Sequence, residues 1–318
     1  MIKGDMMNNQ TLHRSIKLVC AAMAAGALVL GMSACGNSNS SDKVALLVST
    51  LNNPFFVDLR DGAQAEAKKL GVELQVSDAQ NDSSKQQDQA QNAQSQGAKA
   101  VIINPVDSDA AAPSVSPLLS ANLPVISVDR SVTGVEVTSH IASDNVAGGA
   151  QAADALAKSM GEKGEVLILQ GIPGAASTRD RGKGFKDRIK KYSGIKVVAE
   201  QTANFDRAEA LNVATNLLQS HPNATGIYAE NDEMALGAIQ ALGAKAGKDV
   251  KIVGFDGTAD GMKAIKAGTM AGTIAQQPKE LGRAAVEAAV KAIKGEKVSK
   301  TEPITVKTVD ATNVSDFE

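Results

Sequence analysis

The sequence predicts an α/β protein of two doubly wound lobes with parallel sheets, on three observations. From Lys43 onward one unit recurs: a short β-branched run, a turn, then a helical stretch rich in Ala, Lys and Glu. The β-branched runs lack clean polar and apolar alternation, as expected of parallel strands covered on both faces. After "SHIASDN" the same rhythm starts again, so the repeat falls into two halves.

Residues 1–34 stand apart from this repeat. Lys3, Arg14 and Lys17 precede an apolar run over residues 18–30 that small residues follow, the pattern of a secretion signal. The run is too short to span a bilayer comfortably. It leads into "GMSACG", which resembles a bacterial lipoprotein box with Cys35 as the first mature, lipidated residue. Beyond that cysteine, residues 36–42 lack apolar side chains and read as a flexible tether. Processing would remove Cys20 and acylate Cys35, leaving the mature domain without free thiol, disulfide or Cys-based metal site.

In the first half, "KVALLVS" precedes the helical "PFFVDLRDGAQAEAKKLG", and "VELQVS" precedes "SSKQQDQAQNAQSQG". "AKAVIINP" then precedes "DSDAAAPSVSPLLSAN", and "PVISVD" follows. In the second half, "EVLILQG", "IKVVAEQ", "TGIYAEN", "VKIVGFD" and "MAGTIAQ" read as strands, with "EMALGAIQALGAK" and "PKELGRAAVEAAVKAIKG" among the helices. Gly71, Gly97 and Gly247 stand near helix ends, as stop signals should. Such βα alternation requires right-handed crossovers, and the resulting sheets bind ligands beyond the carboxyl ends of their strands.

Charge and residue inventory narrow the function. The formal charge of −2 becomes about −4 once residues 1–34, with three basic side chains and one acidic, are removed. Nucleic-acid binding, which needs a basic face, is not expected. The mature chain holds only His140 and His221 as histidines and contains neither G-x-S-x-G nor a Walker loop, so no enzyme, metal or cofactor is expected. Asp129 and Asp256 could be imagined as a glycosidase pair, but Arg130 and Arg181 are expected to keep both carboxylates ionised.

The residues that follow the strands are Ser49, Asn53, Phe55, Phe56, Asn104, Asp129 and Arg130 in the first half. Arg181, Phe205, Asn231, Phe255, Asp256 and Gln276 follow in the second. Four of the chain's six Phe residues are among them. A neutral sugar presents hydroxyls that donate and accept together with apolar C–H faces. Asp accepts, Arg donates in a fixed fork and Asn or Gln does either, while aromatic rings cover the C–H face. Two Asp and two Arg sum to zero, which suits an uncharged polyol better than a phosphate or carboxylate.

The stretches "STLNNPFF", "INPVDSDA", "HIASDN", "NDEMALGA", "VGFDGT" and "TIAQ" fall in register with one known pattern. From about Lys43 to Val309 the chain resembles the ribose-binding branch of the type I periplasmic binding protein family, the solute receptors of bacterial ABC importers. The resemblance implies Rossmann-like lobes joined by a three-segment hinge near Ser143 to Asn145, Gln276 to Gln277 and Thr305 to Val306. The N-terminal lobe would comprise 43–143 and 277–305, and the C-terminal lobe 144–276 and 306–318.

It further implies that Phe55, Phe56, Phe205 and Phe255 sandwich a pyranose, D-ribose or a near relative such as allose, and that the other nine residues bond its hydroxyls. Partners would be the transmembrane permease and, through Cys35, the cell membrane, with the protein extracytoplasmic and monomeric. One alternative stays open, a sensory protein feeding a membrane receptor, which would share the site; a repressor of the same fold is not expected, since it would carry a helix-turn-helix where this chain has a signal. Glu230 and Gln277 depart from the Gln and Leu of that branch, and strand alternation should turn Glu230 away from the ligand.

Overall fold

Short β-branched runs become strands and the Ala-rich stretches between them become helices throughout the computed structural model, which describes Met1 and residues 41–317. The expected signal beyond Met1, Cys35 and the tether up to residue 40 lie outside the described residues. The elements run β1 (Lys43–Val48), α1 (Pro54–Leu70), β2 (Glu73–Asp78), α2 (Ser83–Ser95), β3 (Ala100–Ile103), α3 (Ala112–Ser120), β4 (Val125–Val128) and β5 (Ser139–Ser143). They continue with α4 (Asn145–Ser159), β6 (Lys163–Gln170), α5 (Ala176–Ile189), β7 (Gly194–Thr202), α6 (Arg207–Ser220), β8 (Ala224–Ala229), α7 (Asp232–Leu242) and β9 (Lys251–Asp256). The last are α8 (Ala259–Lys266), β10 (Gly272–Ala275), α9 (Pro278–Ile293), β11 (Thr301–Ile304) and β12 (Lys307–Asp310).

Two six-stranded sheets result, ordered β11-β5-β4-β3-β1-β2 and β12-β10-β9-β8-β6-β7. Every pairing in the first is parallel. The second is parallel except where β12 runs antiparallel to β10 at its edge. Each sheet is covered on both faces. In the first lobe Leu59 and Leu281 lie in one core, and Ala90 and Leu118 in the other. In the second, Leu156 and Phe185 lie in one core, and Leu217 and Met234 in the other. Helix α9, late in sequence, packs beside α1 against the first sheet.

Each lobe contains one pair of helices brought close by reciprocal glycines. A Cβ at Gly62 of α1 would lie 2.2 Å from Lys279 O, and one at Gly282 of α9 would lie 2.0 Å from Leu59 O. In the second lobe the counterparts are Gly149 of α4, 2.2 Å from Arg181 O, and Gly184 of α5, 2.0 Å from Val146 O. No other residue type lets the backbones approach so closely.

The chain passes between the sheets after β5, after β10 and after β11, and the three crossings lie side by side. Asp144 N donates to Ile304 O at 3.2 Å, and Gln277 Nε2 donates to Thr305 O at 2.9 Å. Strands β5, β11 and β12 are only four or five residues long, and sequence reasoning did not single them out. Both β11 and β12 are edges, and Pro303 in β11 is tolerated there because an edge strand leaves N–H positions unpaired. In "DSDAAAPSVSPLLSAN" the helix starts only at Ala112, because Asp107 Oδ1 accepts from Asp109 N at 2.7 Å and Ala110 N at 2.9 Å, holding a turn first.

Candidate functional site

Local chemistry sets the first-lobe wall. Asn53 caps α1 by accepting from Phe55 N at 2.9 Å, and Pro54 occupies the first turn, where its missing N–H costs nothing. The cap fixes Phe55 and Phe56 directly after β1, their rings 5.1 Å apart and edge to face at 85°. Asn104, after β3, is fully buried: its Oδ1 accepts from Ser49 N at 3.1 Å and its Nδ2 donates to Asp129 Oδ2 at 2.9 Å. Asp129 itself has φ 64°, a left-handed conformation that few residues other than Gly adopt without strain.

Arg130 Nε lies 3.6 Å from Asp129 Oδ2, beyond hydrogen-bond range, and has no hydrogen-bond partner. Its Nη1 donates to Pro105 O at 3.0 Å and Val106 O at 3.1 Å. The guanidinium carbon stands 5.4 Å from the ring centres of both Phe56 and Phe205, one from each lobe. Burial lowers its pKa against the pull of Asp129, and an arginine starting so high stays charged.

The second-lobe wall is assembled from more distant pieces. Arg181, on α5, donates from Nε to Asn145 Oδ1 at 2.8 Å and from Nη1 to Glu230 O at 2.7 Å, with Asp256 Oδ1 at 3.6 Å. Its guanidinium covers Phe255 at 3.9 Å and reaches Phe205 at 5.9 Å. Asp256 has φ 122° and accepts from Gln276 Nε2 at 2.7 Å. Asn231 caps α7 by accepting from Met234 N at 2.9 Å, while its Nδ2 donates to Phe205 O at 3.3 Å. Phe205, with φ 61°, lies against Gly171, where a Cβ would come 2.0 Å from the ring.

Here one expectation is corrected. Burial pushes the Asp256 carboxyl well above the usual carboxylate range, outweighing Arg181 and Gln276, so Arg181 does not by itself keep it ionised. Glu230, as alternation requires, does not line the space that Asn231 borders, yet it is not solvated either. Its Oε2 accepts from Gly171 N at 2.8 Å, its Oε1 has no partner, and burial raises its pKa to about 8.

These walls meet around a narrow cavity lined by Asn53, Phe55, Phe56, Asp129, Arg130, Ser177, Arg181, Phe205, Asn231 and Asp256. Nine of the thirteen residues singled out in the sequence are on that wall. Ser49, Asn104, Phe255 and Gln276 stand behind it: Asn104 braces Asp129, Gln276 braces Asp256, and Phe255, wholly buried, lies beneath Arg181. Phe255 is therefore part of the second-lobe core, packed so tightly that a Cβ at Gly148 would come within 2.6 Å of its ring.

Away from the crossings in sequence, a mouth between the lobes is shut by segment 107–109 against 174–179. Ser108 N donates to Gly174 O at 3.0 Å, Ala176 N donates to Ser108 Oγ at 3.0 Å, and Arg179 Nη1 meets Asp109 Oδ2 at 3.0 Å. A larger outer groove along α5 is lined by lysines already paired with Asp187 and Glu200. Among the described residues no cluster of His, Cys, Asp or Glu could hold a metal ion.

Sequence reasoning missed Ser177, Asn145 and the buried role of Glu230. Ser177 precedes Arg181 by four residues on a helix, a spacing that shares one face and could have flagged it. Asn145 follows β5, the strand whose signal was too weak to mark its end.

Residues 44–297 match the model of the periplasmic binding protein domain family. The chain is 48% identical over 288 residues to the ribose import binding protein of Escherichia coli K12, covering 91% of this chain and 97% of that one. It is 45% identical over 268 residues to the ribose import binding protein of Bacillus subtilis, covering 83% and 87%. Among solved structures, a Caulobacter myo-inositol binding protein bound to myo-inositol is 38% identical with TM-score 0.82, covering 86% of this chain and 95% of that one.

Proposed function

Because the chain belongs to the periplasmic binding protein family, we propose that it is the solute-binding protein of an ABC importer that closes on D-ribose, as the pyranose, and delivers it to a membrane permease. The relatives are solute-binding proteins rather than enzymes, and the chain is read likewise. One observation carries the ligand class: at the carboxyl ends of both sheets two Asp, two Arg and two Asn share one cavity wall with three aromatic rings. Planar donors and acceptors suit hydroxyls, and Phe55, Phe56 and Phe205 offer faces or edges to ring C–H groups.

Enclosure also fits the energetics. A ~1 µM affinity is about −8.2 kcal/mol, or ~0.8 kcal/mol for each of roughly ten heavy atoms, well above typical drug-sized efficiency. An affinity of that order would call for contacts from both lobes, which on this reading are 43–143 with 277–305 and 144–276 with 306–318. Ser49, Asn104, Phe255 and Gln276 act as braces for the nine wall residues. Solved relatives holding D-allose and myo-inositol support a neighbouring polyol as the second ligand choice.

Titration calorimetry with free pentoses and hexoses tests the reading; the tightest binding should be to ribose, and a flat panel would sink it. Small-angle scattering should show compaction on adding sugar. Anchoring through Cys35 belongs to the same proposal, and Cys35→Ser should move the protein from the membrane fraction to the medium.

A further inference from the structure

We propose that Ser177 is a specificity-determining contact of this cavity, its hydroxyl bonding one ring hydroxyl of the bound sugar; this rests on the sugar-binding reading above. Ser177 lies in the first turn of α5, four residues before Arg181 and on the same face. The residue is 2% exposed and lines the cavity. Thr178, the next residue, borders the outer groove instead.

The remaining wall explains why a hydroxyl is needed. Arg130 and Arg181 can only donate, and an ionised carboxylate can only accept. Both wall amides have their oxygens committed to helix caps, Asn53 to Phe55 N and Asn231 to Met234 N. Ser177 is the one hydroxyl on the wall and, like the raised Asp256 carboxyl, it can both donate and accept, as a sugar hydroxyl does. A sugar hydroxyl that accepts from a guanidinium still has its own proton to place, and Ser177 Oγ can receive it.

Position adds a second argument. Ala176 N, one residue before, donates across the mouth to Ser108 Oγ at 3.0 Å. The first turn of α5 is thus tied to the other lobe only when the mouth is shut. Ser177 makes its contact on closure and discriminates at the last step of capture.

The test is calorimetry on the full chain and its Ser177→Ala variant with D-ribose and the series of singly deoxygenated riboses. The variant should melt at the parent's temperature without sugar and bind ribose about 5- to 30-fold more weakly. One deoxy sugar, lacking the hydroxyl that Ser177 meets, should bind parent and variant alike, while the others preserve the gap. A variant matching the parent on every sugar overturns the inference, and so does a loss of equal size across the whole deoxy series. A parent that binds no sugar in the panel overturns the sugar-binding reading itself, with no reference to the variant.

Discussion

In the first lobe the charged pair of the cavity is Asp129 and Arg130, sequence neighbours at the end of one strand; in the second it is Asp256 and Arg181, from a strand end and a helix. Both pairs sit at 3.6 Å. Their supports differ. The first lobe holds its arginine on the carbonyls of Pro105 and Val106 and its aspartate on the amide of Asn104. The second holds its arginine on Asn145 and Glu230 O and over Phe255, within the packed junction of α4, α5 and β9. A local pair can serve the ligand alone, whereas a pair assembled from remote segments also ties its lobe together.

The strongest way to break that comparison is to remove one member of each pair. Asp129→Ala and Arg181→Ala should each weaken ribose binding by roughly 2–4 kcal/mol, because each removes a buried, strongly hydrogen-bonding partner of the sugar hydroxyls. Only Arg181→Ala should also lower the melting temperature of the sugar-free protein markedly. Equal melting losses for the two variants would erase the distinction between the lobes.

The next effect is a pH dependence seated in the second lobe. The folded pKa of Glu230, about 8, lies above its ordinary value of 4.5, so the native state holds a proton that the unfolded chain has released. Its contribution is complete below the ordinary value and is lost as pH rises through 8. Asp232, pushed up to about 6 by burial, acts the same way over a lower range. Unfolding free energies should therefore fall by roughly 3 kcal/mol between mildly acidic and mildly alkaline buffer on account of Glu230. Glu230→Gln should reduce the slope above the Asp232 range, leaving the share that the raised Asp256 carboxyl contributes. If parent and variant keep the same slope there, Glu230 is solvated rather than buried.

The glycine-packed helix pairs allow a symmetrical test. Gly282→Ala in the first lobe and Gly184→Ala in the second each place a methyl against backbone that cannot turn aside, and each should cost about 1–3 kcal/mol in denaturant unfolding. Gly184→Ala should also weaken ribose binding, since α5 carries Arg181 and Ser177, while Gly282→Ala should leave it nearly unchanged. The smallest effect belongs to Asp109→Ala, which removes an exposed ion pair across the mouth. It should change ribose affinity by less than about 1 kcal/mol and only at low salt. A salt-independent loss of tenfold would mean that the mouth contact is a principal latch.

Much of this site was legible in the sequence. Strand ends are marked by the change from β-branched runs to turn and helix-start residues, and parallel doubly wound sheets put those ends on one side. Asn53, Asp129, Asn231 and Asp256 were found that way, because caps and strand termini are written in neighbouring residues. What the tertiary structure alone decided was depth. Phe255 and Phe56 look equivalent as a string, yet Phe255 lies in the core beneath Arg181 and Phe56 on the wall. Glu230 looks like a solvated carboxyl beside Asn231, yet the fold buries it against Gly171 and raises its pKa. Ser177 sits inside a helix with only its spacing to Arg181 to mark it, and it reaches the cavity because α5 is packed through Gly149 and Gly184 and tied to Ser108. Periodicity and capping are short-range properties of a chain, whereas burial and the commitment of each donor and acceptor depend on segments remote in sequence that only packing brings together.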